Sequence, residues 1–173
     1  MSKVMERYVN VHLQRHLSEN SLLEDCQFGF RSGYQTLHPL LILHQCAAGA
    51  LDQSQELSLD ALDIAGAFDT VWHNRLLAKC ASMGIDGATL RWLKSYLVGR
   101  LQVVSVDGAC SSSEPVLAGV PQGSILRPVL FLLYINDLPS VVSAQPLIYA
   151  DDCTLLQRVP QVCSNPEAAR ATG

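Results

Sequence analysis

Pro146-Leu147-Ile148-Tyr149-Ala150-Asp151-Asp152-Cys153-Thr154-Leu155-Leu156-Gln157 is the stretch whose reading decides the fold. Residues 146–150 form an apolar run of strand length, residues 153–157 form a second, and the adjacent carboxylates of Asp151 and Asp152 are the reversal between them. Asp is a common turn residue whatever the function. Two adjacent carboxylates on a tight turn nevertheless repel each other, and a cation that neutralises them relieves that cost. Hard oxygen ligands of this kind suit Mg²⁺, which keeps some of its waters and also takes phosphate oxygens.

A second acidic site lies upstream. Leu62-Asp63-Ile64-Ala65-Gly66-Ala67-Phe68-Asp69 reads as a strand that ends in a carboxylate and then turns towards a helix. Asp63 is the third candidate ligand. Three carboxylates from two elements suffice to hold two divalent ions about 3.5–4 Å apart, the arrangement that clamps the attacking and leaving oxygens in phosphoryl transfer. Asp69 precedes Thr70-Val71-Trp72-His73 and reads as a helix cap.

A third element is Ala118-Gly119-Val120-Pro121-Gln122-Gly123-Ser124-Ile125-Leu126-Arg127-Pro128, a loop punctuated by Gly and Pro that runs into an apolar helix reaching about Leu138. Several segments occur in order along the chain: Leu62-Asp63 to Ala67-Phe68-Asp69, then Gly119 to Ser124, then Leu133-Tyr134-Ile135-Asn136-Asp137-Leu138, then Tyr149-Ala150-Asp151-Asp152. This ordered set resembles the reverse transcriptase of non-LTR (LINE-type) retrotransposons. Gln27-Phe28-Gly29-Phe30-Arg31 is similar to a further block of that family. The resemblance runs from about residue 3 to residue 158. Any one motif alone would carry little.

What the resemblance implies can be stated residue by residue. Asp63, Asp151 and Asp152 match the family's catalytic, metal-binding carboxylates, and two Mg²⁺ ions, or Mn²⁺ in their place, are the implied cofactors. Asp152 is expected to support rather than lead, since successive strand side chains point to opposite faces. Phe68 matches the aromatic position that excludes a ribose 2′-hydroxyl; the residue alone would read as a core phenylalanine. Gln122 and Gly123 match the loop that lies against the incoming nucleotide, with Gly119 and Gly123 letting backbone approach it closely. The implied partners are an RNA template, a DNA primer and deoxynucleoside triphosphates. Two positions depart from the family pattern. Gly66 stands where relatives have a charged residue, and Arg127 precedes Pro128 where relatives have Ser or Gly. With Pro128 as first helical residue, Arg127 would be an unfavourable N-cap at the positive end of the helix dipole.

A chain of 173 residues, 49% apolar, is enough for one domain with a sizeable core. Residues 1–158 read as a partial reverse transcriptase domain, part of the fingers plus the palm, and residues 159–173 as a short polar tail. The family enzyme adds further fingers and a thumb. Twelve Lys and Arg against sixteen Asp and Glu give a net charge of −4, whereas nucleic-acid binders usually carry a basic face. Weak nucleic-acid binding by this stretch alone is the expectation.

The remaining pattern is a compact alternation of helices and strands. Val4, Met5, Tyr8, Val9, Val11, Leu13 and Leu17 recur at helical spacing, as do Leu37, Leu40, Leu41, Leu43, Ala47, Ala48 and Leu51. Residues 88–97 form another amphipathic helix that ends near Gly99, with Trp92 and Tyr96 on its core face. Leu101 to Val106, the Asp107-Gly108 turn and Pro115 to Leu117 read as a hairpin. The expected fold class is therefore α+β, a palm-like antiparallel sheet with helices around 70–83 and 127–138 packed on one face and the other face open to a duplex.

No apolar stretch is long enough to span a bilayer, and no leader resembles a signal peptide. Six cysteines without zinc-ligand spacing read as reduced intracellular thiols with no disulfide partner, in a nuclear or cytoplasmic, not secreted, protein. His12 and His16, one helical turn apart, lack a third ligand and read as solvent-facing. Two other readings remain open. A catalytically silent remnant or protein-interaction domain would keep the same palm core. An RNA-dependent RNA polymerase palm would also use separated aspartates, although Phe68 and the Pro-Gln-Gly loop argue against it.

Overall fold

Gln145–Tyr149 (β6) and Asp152–Pro160 (β7) pair antiparallel, in a computed structural model that describes residues 2–160. The hairpin is the one expected, but its turn is tighter. Tyr149 pairs with Asp152, so the loop is only Ala150 and Asp151, and Asp152 is already a strand residue. Ala150 takes φ 62° and Asp151 does not share this sign, the pattern of a turn whose first central position normally holds glycine. An alanine there carries backbone strain, of order 1 kcal/mol or more. β7 also runs to Pro160, past the boundary expected at residue 158. The rest of the expected tail, residues 161–173, lies outside the described residues.

Gln55–Asp63 (β1) pairs with β7 along nine positions, from Gln55 opposite Pro160 to Asp63 opposite Asp152. The sheet order is β1-β7-β6, and the free edge of β6 is extended by the segment around Gln27. There Phe28 N donates to Ile148 O at 2.8 Å and Ile148 N donates to Cys26 O at 2.8 Å. Side chains opposite one another in an antiparallel pair share a face. Asp63, Asp152 and Tyr149 therefore share theirs with Leu57, Leu147 and Leu156.

Two apolar clusters organise the rest. Ser2–Glu19 (α1), Leu37–Asp52 (α2), His73–Ser82 (α3), Gly87–Leu97 (α4) and Arg127–Ile135 (α5) are the helices. α1, α3, α4 and α5 build a helical core around Leu13, Leu76, Leu93, Leu97, Leu130 and Leu133, each of which contributes about 2 kcal/mol of burial. α3 and α5 were the expected backing of the sheet. The sheet's own cluster, Phe28, Leu147 and Leu156, is closed by Ile42, Leu43 and Cys46 of α2. That helix thus lies on the aspartate-bearing face, which was expected to be open, and its first turns, at Pro39, Leu40 and Leu43, line a pocket with Asp152.

Helical spacing alone did not select the buried stripes. α1 buries Glu6, Val9, Leu13 and Leu17 and leaves Val4, Met5, Tyr8 and Val11 exposed; α2 exposes Leu37, Leu40, Leu41 and Leu51. Apolar residues ring both helices, so tertiary contact, not periodicity, chose the inward face. The hairpin after Gly99 splits into two short ladders, Leu101–Gln102 (β2) with Glu114–Pro115 (β5) and Ser105–Val106 (β3) with Ala109–Cys110 (β4). Asp107 and Gly108 both take positive φ between them, as such a turn requires. Among the described residues, no helix is long and apolar enough to cross a membrane.

Candidate active site

Asp63 and Asp152 face each other across β1 and β7, and both are exposed, while Asp151 in the turn beside them is half-buried. Like charges directly opposite on paired strands repel. The ion pairs among the described residues are Lys3 with Glu6, Arg15 with Glu19, Lys79 with Asp137 and Arg127 with Asp69. None of them neutralises Asp63, Asp151 or Asp152. Three hard oxygen donors without a basic partner suit a divalent cation. Among the described residues, no three His, Cys, Asp or Glu side chains converge into a complete cage. The fit to Mg²⁺ rests on the chemistry of the donors alone, since this ion can be held by one or two carboxylates together with waters and substrate phosphates.

The turn is held from behind by Gln27, a buried polar residue with 3% exposure. Its Oε1 accepts from Gly29 N at 2.9 Å and from Ala150 N at 3.3 Å, and its Nε2 donates to Ala150 O at 3.4 Å. The sequence pattern placed Gln27 only within a similar block. A glutamine two residues before a glycine was the available signal.

Phe68 is partly buried against the helical core, with its ring centroid 4.5 Å from that of Phe131 and 6.2 Å from that of Phe30. The Arg127 guanidinium lies 4.6 Å above the Phe68 ring. It also donates to Asp69 Oδ1 at 3.3 Å and to Val120 O at 3.4 Å. Two expectations are corrected here. Arg127 is the first residue of α5 and Leu126 is the N-cap, so Arg127 makes side-chain contacts rather than failing as a cap. Asp69 does not cap α3, whose N-cap is Trp72; it pairs with Arg127. Gly66, the other departure from the family pattern, sits at φ 59°, a conformation that suits glycine and disfavours a long side chain.

The Gly119 to Ser124 loop is joined to the Phe68 segment through backbone. Val120 N donates to Phe68 O and Gly119 N to Val71 O, both at 2.9 Å. His73 Nε2 donates to Gly119 O at 2.8 Å. A side chain at Gly119 would place its Cβ 2.8 Å from Asp69 O, so glycine is needed there for close approach to protein backbone. Gly123 has open space around it and is required by its φ of 68°.

The far end of this loop is anchored by Glu6 of α1, 5% exposed. Its Oε2 accepts from Ile125 N at 2.8 Å and from Ser124 Oγ at 3.0 Å. Ser124 Oγ in turn accepts from Tyr96 OH at 2.6 Å and Leu126 N at 3.0 Å. Lys3 Nζ donates to Gly123 O. Burial raises the Tyr96 hydroxyl above its usual range, partly offset by the bond to Ser124, so it stays a donor. Sequence reasoning missed Glu6. A carboxylate three residues before Val9 on the stripe of Val9, Leu13 and Leu17 was the signal.

Gln122 is exposed and lines a groove of about 580 Å³ with Asp69, Arg100, Gln102 and Gly119. Asp152 lines a separate, more apolar pocket of about 280 Å³ with Tyr149, Thr154, Leu147 and Leu43. The register sets Asp63 opposite Asp152 at one end of the sheet, with Asp151 in the adjoining turn. The Val120 link joins the segments that carry Phe68 and Gln122, but the Phe68 ring packs on Phe131 and Arg127 while Gln122 lines the groove beside Asp69. His12 and His16 do not form a pair. His12 packs on Tyr8, and His16 Nε2 donates to Met83 O at 2.8 Å. Burial raises the Cys26 and Cys153 thiols and pushes Cys80 up to about 12, which keeps all three protonated and unreactive at neutral pH.

Known proteins match the chain over almost its whole length. A family profile described as reverse transcriptase (RNA-dependent DNA polymerase) matches residues 1–165. The chain is 35% identical over 178 residues to a protein named probable RNA-directed DNA polymerase from transposon BS of Drosophila melanogaster; the match covers 98% of this chain and 19% of the relative. It is 36% identical over 166 residues to the RNA-directed DNA polymerase from mobile element jockey of the same species, covering 91% of this chain and 18% of the relative. A polyprotein of the type-1 retrotransposable element R2 from Popillia japonica is 25% identical over 171 residues, with 91% and 24% covered. The chain thus spans about a fifth of the length of these relatives.

Proposed function

Because the chain belongs to the reverse transcriptase (RNA-dependent DNA polymerase) family, in its non-LTR retrotransposon branch, we propose that it is the palm-centred part of an enzyme that extends a DNA primer on an RNA template. The observation that carries this reading is the register that sets Asp63 opposite Asp152, with Asp151 in the turn beside them. By resemblance Asp63 and Asp151 would hold the metal ions and Asp152 would support them, from the same face as Asp63 rather than turned away from it as strand alternation had suggested. When bound, Mg²⁺ supplies charge neutralisation at the phosphates and a lowered pKa at the primer 3′-hydroxyl.

The other residues position the reactants. Phe68, its ring fixed by Phe131 and Arg127, stands against a ribose 2′-hydroxyl and so selects deoxynucleotides. Gln122 and Gly123 lie along the incoming nucleotide, with the loop held from the Glu6 side. The catalytic gain comes from orientation and electrostatics rather than a covalent intermediate. The setting would be inside the cell, nuclear or cytoplasmic, with the cysteines reduced. The acidic balance keeps the affinity of this stretch for template and primer low.

Primer extension on an RNA template with dNTPs and Mg²⁺ tests the reading. Extension should fall about 100-fold or more in Asp63→Asn and in Asp151→Asn, the scale of losing several kcal/mol of charge stabilisation. Equal extension with ribonucleotides would instead favour an RNA polymerase palm. A well-folded chain that extends nothing would make this stretch a silent remnant of the family fold.

A further inference from the structure

The acidic turn is an unlikely conformation for its own sequence. Ala150 occupies a position that favours glycine, at φ 62°, and its N–H and C=O are turned inward, where Ala150 is 8% exposed. A turn residue of this kind normally leaves its polar groups to water. Here both are taken by one side chain, Gln27, through Oε1 and Nε2. The same Oε1 accepts from Gly29 N, which fixes the glutamine amide from the other side.

Gly29 completes the contact. A Cβ at Gly29 would stand 2.1 Å from Ala150 N and 2.8 Å from its Cα, so the two backbones touch and only glycine fits. The segment is itself fixed to the sheet, since Phe28 N and Cys26 O bond to Ile148, two residues before Ala150. Gln27 therefore sits on a strand-like brace in register with β6, aimed at the first residue of the turn.

We propose that Gln27, seated by Gly29, is the positioning residue of the acidic turn: it holds Ala150 in the left-handed conformation that sets the direction of Asp151 and Asp152. This rests on the reading of these aspartates as metal ligands for its functional consequence, but its structural part stands alone. Gln27 touches no substrate; it acts through the backbone of Ala150. Replacing its amide by an isosteric apolar group would leave the two Ala150 groups and the Gly29 N–H without their buried partner, and the turn would relax.

The test uses Gln27→Met in the full chain, with Ile85→Val in the helical core as a control of similar size. Two readouts are taken: amide hydrogen exchange and Mn²⁺ affinity. Exchange at Ala150 and Gly29 should quicken at least tenfold in Gln27→Met while Leu130 and Leu133 amides are unchanged, and the control should leave Ala150 protected. Mn²⁺ affinity should fall about tenfold in Gln27→Met and stay unchanged in the control. Unchanged exchange at Ala150 overturns the proposal, as does quickened exchange with undiminished Mn²⁺ binding. A wild-type chain that binds no Mn²⁺ counts against the metal reading alone, because exchange still decides the clamp. Should Gln27→Met fail to fold, Gln27→Glu is measured in its place. It keeps the acceptor for Ala150 N and Gly29 N and gives up the donor to Ala150 O, so it should retain protection at Gly29, and losing that protection overturns the proposal.

Discussion

The acidic turn and the Pro-Gln-Gly loop are held in opposite ways. The turn hangs on backbone: a nine-pair ladder with β1, a hairpin with β6, and one buried side chain behind it. Past its two backbone bonds at Gly119 and Val120, the loop hangs on side chains from three helices, with Glu6, Tyr96 and Arg127 converging on residues 120–125. Ladder positions tolerate many side chains because their bonds are made by main chain. A loop tied by a buried carboxylate does not, since removing one partner leaves the others unsatisfied. The loop should therefore be the more fragile of the two to single substitutions remote from the reacting groups, and the turn the more sensitive to charge.

The largest effect should come from the carboxylate. Glu6→Ala strips the acceptor from Ile125 N and Ser124 Oγ, and should cost about 2–3 kcal/mol, the scale of hydrogen bonds to a charged group. Glu6→Gln, which keeps an acceptor, should cost about half as much. Urea denaturation measures both, and a cost below about 0.5 kcal/mol for the alanine would show that the loop does not depend on its side-chain anchor.

Arg127 is next. Its contact with Phe68 and the hydrogen bond to Val120 O outweigh its unfavourable place at a helix N-terminus, so Arg127→Met should destabilise by about 1 kcal/mol. The Asp69 partner is 62% exposed, and Asp69→Asn should cost less than about 0.5 kcal/mol. Equal losses from the two changes would shift the weight from the ring to the ion pair.

The smallest effect should have the opposite sign and belongs to the turn. Asp152→Asn removes one of two facing carboxylates and should stabilise the chain by about 0.5 kcal/mol in the presence of a chelator. Adding Mg²⁺ should then stabilise the wild-type chain more than the variant, because a ligand bound only by the folded state raises its stability. A variant less stable than wild type without metal would mean that the pair is not repulsive, and the contrast with the loop would lose its electrostatic half.

Much of the site was legible in the linear pattern. Two apolar runs around Asp151 and Asp152 specify a hairpin, and the apolar run before Asp63 specifies a strand, because side-chain alternation and local reversal are short-range properties. The glycines at 66, 119 and 123 were visible as punctuation, though not what each one meets. Asp69 as a helix cap and Arg127 as a failed cap were misread for one reason. Both depend on where a helix begins, and an ion pair 58 residues apart in sequence leaves no local trace.

By itself, the amino-acid sequence determined the family and the α+β class and singled out three carboxylates as candidates, since ordered motifs and hydrophobic periodicity are carried in the chain's own spacing. Tertiary structure alone decided which stripes of α1 and α2 face inward, that Asp152 lies opposite Asp63, and that Gln27 and Glu6 stand behind the turn and the loop. The Gln27 and Glu6 contacts join residues 123 and 119 positions apart, and the energy of a buried polar group is set by the partner it meets when the chain closes, not by its neighbours along it.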